Sequence, residues 1–190
     1  MRNWFTSDYH LGHANIIRYC KRPFKSLEEM NKVIIRNHNQ RVKPGDTVFH
    51  IGDFCFRNSP GGKRGEGDIL KSIDYEKQLN GKIIFIKGNH DKNNSTRTII
   101  ENIKIKYGGK EINLVHSPKH FDYRYGLNFV GHIHGNWKCK RVYYQKKCID
   151  LINVGVDVWN FRPVSFEEIY SRYRGWLRSI KKGTKNDKLI

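Results

Sequence analysis

The stretch Lys82-Ile-Ile-Phe-Ile-Lys-Gly-Asn-His-Asp91 passes abruptly from apolar, strand-forming residues to a polar cluster. Asn80-Gly81 before it is a turn signal, so Lys82–Ile86 reads as a buried strand that runs straight into Gly88-Asn89-His90-Asp91. The same event recurs on both sides. Upstream, Asn3-Trp-Phe-Thr6 ends at Ser7-Asp8-Tyr9-His10, and Thr47-Val-Phe-His-Ile51 ends at Gly52-Asp53. Downstream, Glu111–Val115 ends at His116, and Asn128-Phe-Val130 ends at Gly131-His132-Ile133-His134. Strand ends of layered α/β folds converge on one rim of the sheet, where ligand sites lie. Five polar strand ends far apart in sequence are therefore expected to meet in space.

Between these strands the pattern turns helical. Ser26 and Glu29 form a capping box, and Leu27, Met30, Val33 and Ile34 share a face, which predicts a helix over 26–42. Pro44-Gly45-Asp46 ends it. Residues 58–67 are glycine-rich and aperiodic and read as a surface loop, followed by a helix over about 68–79. Gly108-Gly109 between Ile103–Tyr107 and Glu111–Val115 is a hairpin signal. Residues 141–145 and 149–154 are further strand candidates. A last helix opens at Ser165, with Glu168 completing its capping box, and carries Phe166, Ile169, Tyr170, Tyr173, Trp176, Leu177 and Ile180 as a packing stripe. The expected organisation is one domain over 1–180 and a basic tail over 181–190.

Composition sets the bounds. Hydrophobic residues make up 37% of the 190, enough for a packed core. No apolar stretch approaches the roughly 20 residues of a membrane span, and the N-terminus turns polar too early for a secretory signal. Cys20, Cys55, Cys139 and Cys148 include no C-x-x-C pair and read as reduced thiols, consistent with a cytoplasmic protein. Lys+Arg 36 against Asp+Glu 18 leaves +18, an excess that attracts polyanions such as nucleotides or nucleic acid.

The residue types at the strand ends suit divalent metal ions. Imidazole and carboxylate ligands fit manganese, iron, zinc or nickel, and the cysteines lack the spacing of a structural zinc site. The i, i+2 spacing of Asp8-x-His10 and His132-x-His134 places each pair on one side of an extended segment. Asp53, alone after a buried strand, is the natural bridge between two ions. Two divalent ions with two carboxylates leave a centre of about +2, suited to activating a hydroxide and clamping phosphoryl oxygens.

Assembled in order, Asp8-x-His10, Gly52-Asp53, Gly88-Asn89-His90-Asp91, His116 and Gly131-His132-x-His134 resemble the motif series of the calcineurin-like metallophosphoesterases. Gly12-His13-Ala-Asn-Ile-Ile17, Pro44-Gly45-Asp46 and Asn153-Val-Gly-Val-Asp-Val-Trp159 are similar to small bacterial, archaeal and phage members. The resemblance implies an α/β (α+β) fold of two packed mixed β-sheets flanked by helices in four layers. It implies one metal on Asp8, His10, Asp53 and His134, and another on Asp53, Asn89, His116 and His132, with manganese favoured. It places His90 beside the scissile phosphate, its ring oriented by Asp91. The implied activity is hydrolysis of phosphomonoester or phosphodiester bonds, and a small open site on a very basic chain favours a phosphodiester of nucleotide type. A polynucleotide nuclease and a non-catalytic scaffold are the alternatives. One departure stands out: relatives read G-D-x-x-D-R, whereas Phe56 stands here before Arg57 in place of the second aspartate.

Around this centre His13, Arg57 and Trp137 are candidate substrate contacts. His13 reads equally as a hydrogen-bonded loop histidine. Trp137 leads into Lys138, Lys140, Arg141, Tyr143, Tyr144, Lys146 and Lys147, which reads either as a nucleic-acid grip or as an edge strand guarded by lysines.

Overall fold

A computed structural model describes residues 1–56, 70–91, 96 and 98–186 of the chain. Its strands are Asn3–Thr6 (β1), Thr47–Ile51 (β2), Lys82–Ile86 (β3), Asn102–Tyr107 (β4), Lys110–Val115 (β5), Leu127–Val130 (β6), Cys139–Tyr144 (β7), Lys147–Asn153 (β8) and Val164–Ser165 (β9). Its helices are Asn15–Tyr19 (α1), Leu27–Arg41 (α2), Ser72–Glu76 (α3) and Phe166–Asn186 (α4). Among the described residues, no helix is long and apolar enough to cross a membrane.

Two mixed sheets form. One has the order β3-β2-β1-β9, the other β4-β5-β6-β8-β7. In the first, β1, β2 and β3 run parallel and β9 closes the edge antiparallel to β1. In the second, β5, β6 and β8 are parallel, and two hairpins supply the edges. The β4–β5 hairpin turns on Gly108 and Gly109, both at positive φ, as a two-residue turn matched to strand twist requires.

Strand alternation explains the packing. Phe5, Ile51, Ile86, Ile112, Leu114, Phe129 and Ile152 point between the sheets with α4 residues Phe166 and Ile169, forming the main core. Phe5 stacks on Phe49 and meets Phe129 edge-on, and burying a ring of that size stabilises by roughly 1.5–3 kcal/mol. The opposite face of the first sheet carries Ile83 and Phe85 toward Met30 and Ile34 of α2 and Tyr75 of α3. Val115, Val130, Ile149 and Leu151 face outward from the second sheet, under Phe121 and Trp137.

The helix ends follow their caps. Ser26 Oγ accepts from Glu29 N at 3.1 Å, but the Glu29 carboxylate takes Lys25 N rather than the cap residue's own amide. At α4 the box is complete: Glu168 N donates to Ser165 Oγ and Ser165 N to the Glu168 carboxylate. That helix runs on to Asn186, so residues 181–186 of the expected tail continue it. The helix expected over 68–79 is described as Ser72–Glu76, and the glycine-rich loop 58–67 lies outside the described residues, as does Arg57. β9 and α1 are additions; both are too short to leave a periodic signature.

Candidate metal centre

Strands β1, β2, β3, β5 and β6 deliver their polar ends to one rim, and seven candidate ligands gather there in two groups. Asp8, His10 and His134 offer ligand atoms within 4.8 Å of one another, as do Asp53, His116 and His132. Asp53 lies between the groups. Its Oδ2 stands 3.5 Å from His10 Nε2 and 3.3 Å from His116 Nε2. Asn89 joins the second group, its Oδ1 being 3.0 Å from His116 Nε2 and 2.7 Å from His132 Nδ1.

The backbone at these positions is not the extended segment that i, i+2 spacing suggests. Asp8, His10, Asp53, His132 and His134 all have positive φ, between 45° and 71°. Non-glycine residues adopt this left-handed conformation only where surrounding contacts over-determine it. Those contacts are visible. Asp8 N and His10 N donate to the carbonyls of Gly52 and Asp53 at 3.0 Å, lacing the first loop to the second. His132 N donates to both oxygens of Asp8, tying in the loop after β6. Gly52 sits at φ 84° against the His116 ring, and a Cβ there would overlap that ring. A Cβ on Gly88 would collide with Asp53. The motif glycines are therefore steric requirements of the ligands beside them.

Ring orientation is set from outside the centre. His116 Nδ1 donates to the Ile51 carbonyl at 2.8 Å, so Nε2 is the atom turned to Asp53 and Asn89. His134 Nδ1 lies 3.0 Å from Asp157 Oδ2, and the Arg22 guanidinium grips both oxygens of Asp157 at 2.9 Å. Arg22 also donates to the carbonyls of Asp8 and Tyr9. His10 Nδ1 meets His13 Nδ1 at 3.2 Å, while His10 Nε2 is buried without a hydrogen-bond partner.

The donor set calls for positive charge. Burial pushes the Asp8 carboxyl up. Burial also opposes ionisation of Asp53, yet the hydrogen bond and charge of His116 hold it below the usual carboxylate range. Burial would lower His116, but Asp53 and Asp8 override it and push the ring up to about 9. His134 is likewise pushed up to about 10, chiefly by Asp157 against burial. Two buried carboxylates, an amide oxygen and inward-facing ring nitrogens, one with no partner, fit divalent cations.

Other predicted residues take places of their own. The His90 ring lies 5.2 Å from that of His10 and its backbone N–H donates to Asp53 Oδ1. Asp91 accepts from the amides of Asp53, Gly88 and Phe54, which fastens the loops around the centre. His13 is buried and stacks on Phe56, with centroids 4.5 Å apart and planes 16° from parallel. The phenyl ring at the departed aspartate position is thus a packing surface for His13. Trp137 packs on the outer apolar cluster, and β7 is the edge of its sheet. Sequence reasoning missed Arg22, Asp157 and Asn153, whose amide holds the carbonyls of His134 and Trp137. Asp157 and Asn153 lie in a stretch that carried a resemblance but no assigned role; Arg22 left no signal.

Comparison with known proteins agrees with this layout. The family model for calcineurin-like phosphoesterases matches residues 1–189. An uncharacterised protein of Methanocaldococcus jannaschii is 39% identical over 171 residues, covering 87% of this chain and 88% of its own. A protein of unknown function from Aquifex aeolicus superposes with a TM-score of 0.61 at 26% identity, covering 89% of this chain and 97% of the other.

Proposed function

The chain belongs to the calcineurin-like phosphoesterase family, and from that premise we propose that it is a two-metal phosphoesterase cleaving phosphodiesters of nucleotide type in the cytoplasm. The observation that carries this reading is the position of Asp53, one of whose oxygens faces a histidine of each group, at 3.5 and 3.3 Å.

Asp8, His10, Asp53 and His134 would hold one ion and Asp53, Asn89, His116 and His132 the other, with manganese as the proposed metal. Such a pair supplies Lewis acidity for the attacking water and charge neutralisation for the phosphoryl oxygens. The remaining work falls to side chains. His90, anchored through its amide to Asp53, would give a proton to the leaving oxygen. Asp91 keeps that amide and the Asp53 loop in register. Asp157 and His13 orient the rings of His134 and His10. A neutral Asn89 in place of a third carboxylate preserves the cationic surplus that attracts an anionic ester.

The test is turnover of bis-p-nitrophenyl phosphate beside p-nitrophenyl phosphate, with and without manganese, using Asp53→Asn as control. Manganese-dependent cleavage favouring the diester is expected. Equal turnover by Asp53→Asn would reject the assigned centre, and cleavage of the monoester alone would make the protein a phosphatase.

A further inference from the structure

The His116–His132 side of the centre opens into a cavity of about 560 Å³, whose walls include Lys87, Asn102, Ser117 and His120. A second cavity of about 330 Å³ shares Asn102 and His120 with it and continues past Phe121 to Tyr123 and Arg124. Sharing those two residues, the cavities adjoin and together lead away from the metal ligands. At its far end the Tyr123 ring meets that of Tyr144, centroids 5.0 Å apart and planes 39° from parallel. Tyr144 ends β7 beside the hairpin tip Gln145-Lys146, so the groove reaches the basic hairpin singled out in the sequence.

These rings are left in water: Tyr123 is 38% exposed, Tyr144 44% and neighbouring Tyr143 74%. The Lys147 ammonium lies 5.8 Å from the Tyr123 ring centroid. Residues 138–147 contain five cations and no acid. Arg141 is bound to Asp150 and Arg124 to Asp122, so their charge is largely spent, and the field at the tip comes from Lys146 and Lys147. Exposed aromatic faces flanked by unneutralised lysines form a surface for stacked bases and their phosphates.

We infer that this groove is a track for single-stranded nucleic acid, with bases stacked on Tyr123 and Tyr144 and the backbone led past Lys147 and Lys87 to the metal centre. The inference rests on the phosphodiesterase reading for what happens at the end of the track. There, water adds across one P–O bond, leaving a phosphomonoester on one fragment and a hydroxyl on the other. A mononucleotide seated at the ligands would leave the second cavity and the tyrosine pair unused. A duplex hides the base faces that the rings would take.

The test is fluorescence anisotropy with the full-length chain, without added metal, using labelled oligothymidylate, oligouridylate and a DNA duplex of equal length. Both single strands are expected to bind, with affinity falling steeply as salt rises. Tyr123→Ala with Tyr144→Ala should weaken binding at least tenfold, whereas Tyr123→Phe with Tyr144→Phe, which keeps the rings, should not. Duplex binding as tight as single-strand binding, or full affinity in the alanine variant, would overturn the track. Preference for one of the two single strands would identify the nucleic-acid type and support it. The metal centre is read separately through wild-type turnover of bis-p-nitrophenyl phosphate. Turnover without oligonucleotide binding sinks the track alone; ring-dependent binding without turnover sinks the catalytic reading alone.

Discussion

Asp157 Oδ2 stands 3.0 Å from Nδ1 of His134, and Arg22, 135 residues away in sequence, holds the carboxylate from behind. Asp157 therefore fixes the tautomer of His134 and stays ionised, held below the usual carboxylate range by His134 and Arg22 against the pull of burial. Asp157→Asn should weaken manganese binding about 10–100-fold, measured as metal retained after dialysis at graded manganese. Unchanged retention would reduce Asp157 to a fold-stabilising role.

Asp53→Asn and His90→Ala should fail differently. The first removes the carboxylate between the two groups and should lose both turnover and bound metal. The second should keep its metal and lose roughly 10²–10⁴-fold in kcat. Metal analysis beside steady-state rates separates them, and lost metal in His90→Ala would make His90 a ligand.

His13 is only 6% exposed and contacts His10 rather than open solvent. His13→Phe keeps the stack on Phe56 but removes the nitrogen facing His10. Weaker metal binding by about tenfold, with KM unchanged at saturating manganese, is expected. A raised KM with metal affinity intact would make His13 a substrate contact.

Two histidines outside the centre give the fold an acid limit. Burial lowers His50 to about 3 and His38 to about 4, from an ordinary 6.5. The unfolded chain takes up protons as pH falls through 6.5, while the folded chain refuses them until those lower values. Their neutral forms thus support the fold fully above 6.5, and stability drains away below it, by about 1.4 kcal/mol per pH unit for each ring. Neither ring nitrogen of His50 has a hydrogen-bond partner, so His50→Leu forfeits none. Urea midpoints of that variant should decline less steeply between pH 6.5 and 4.5 than those of the parent. Parallel declines would mean His50 is not what limits acid stability.

Much of this architecture was legible because its signals are local. Caps at Ser26 and Ser165, the paired glycines at 108 and 109, and apolar runs meeting polar ends each need only a few neighbouring residues to read. The ligand types at the strand ends were legible from the residues themselves, and their division into two groups came from the resemblance of the motif series. What escaped was non-local or conformational. Nothing near Arg22 announces that its partner is Asp157, and the amides gathered by Asp91 come from two different loops. Spacing alone also hides the hand of the backbone, which is why Asp8-x-His10 reads as extended yet is left-handed at both ends.

Those left-handed positions set heat resistance against activity. Five candidate ligands occupy backbone that glycine or asparagine would hold at less cost, each aspartate or histidine there carrying on the order of 1–3 kcal/mol of strain. A population selected only for surviving higher temperature should accumulate glycine and asparagine at residues 8, 10, 53, 132 and 134, and those survivors would be inert. Any effort to harden this chain has to screen for turnover in the same round.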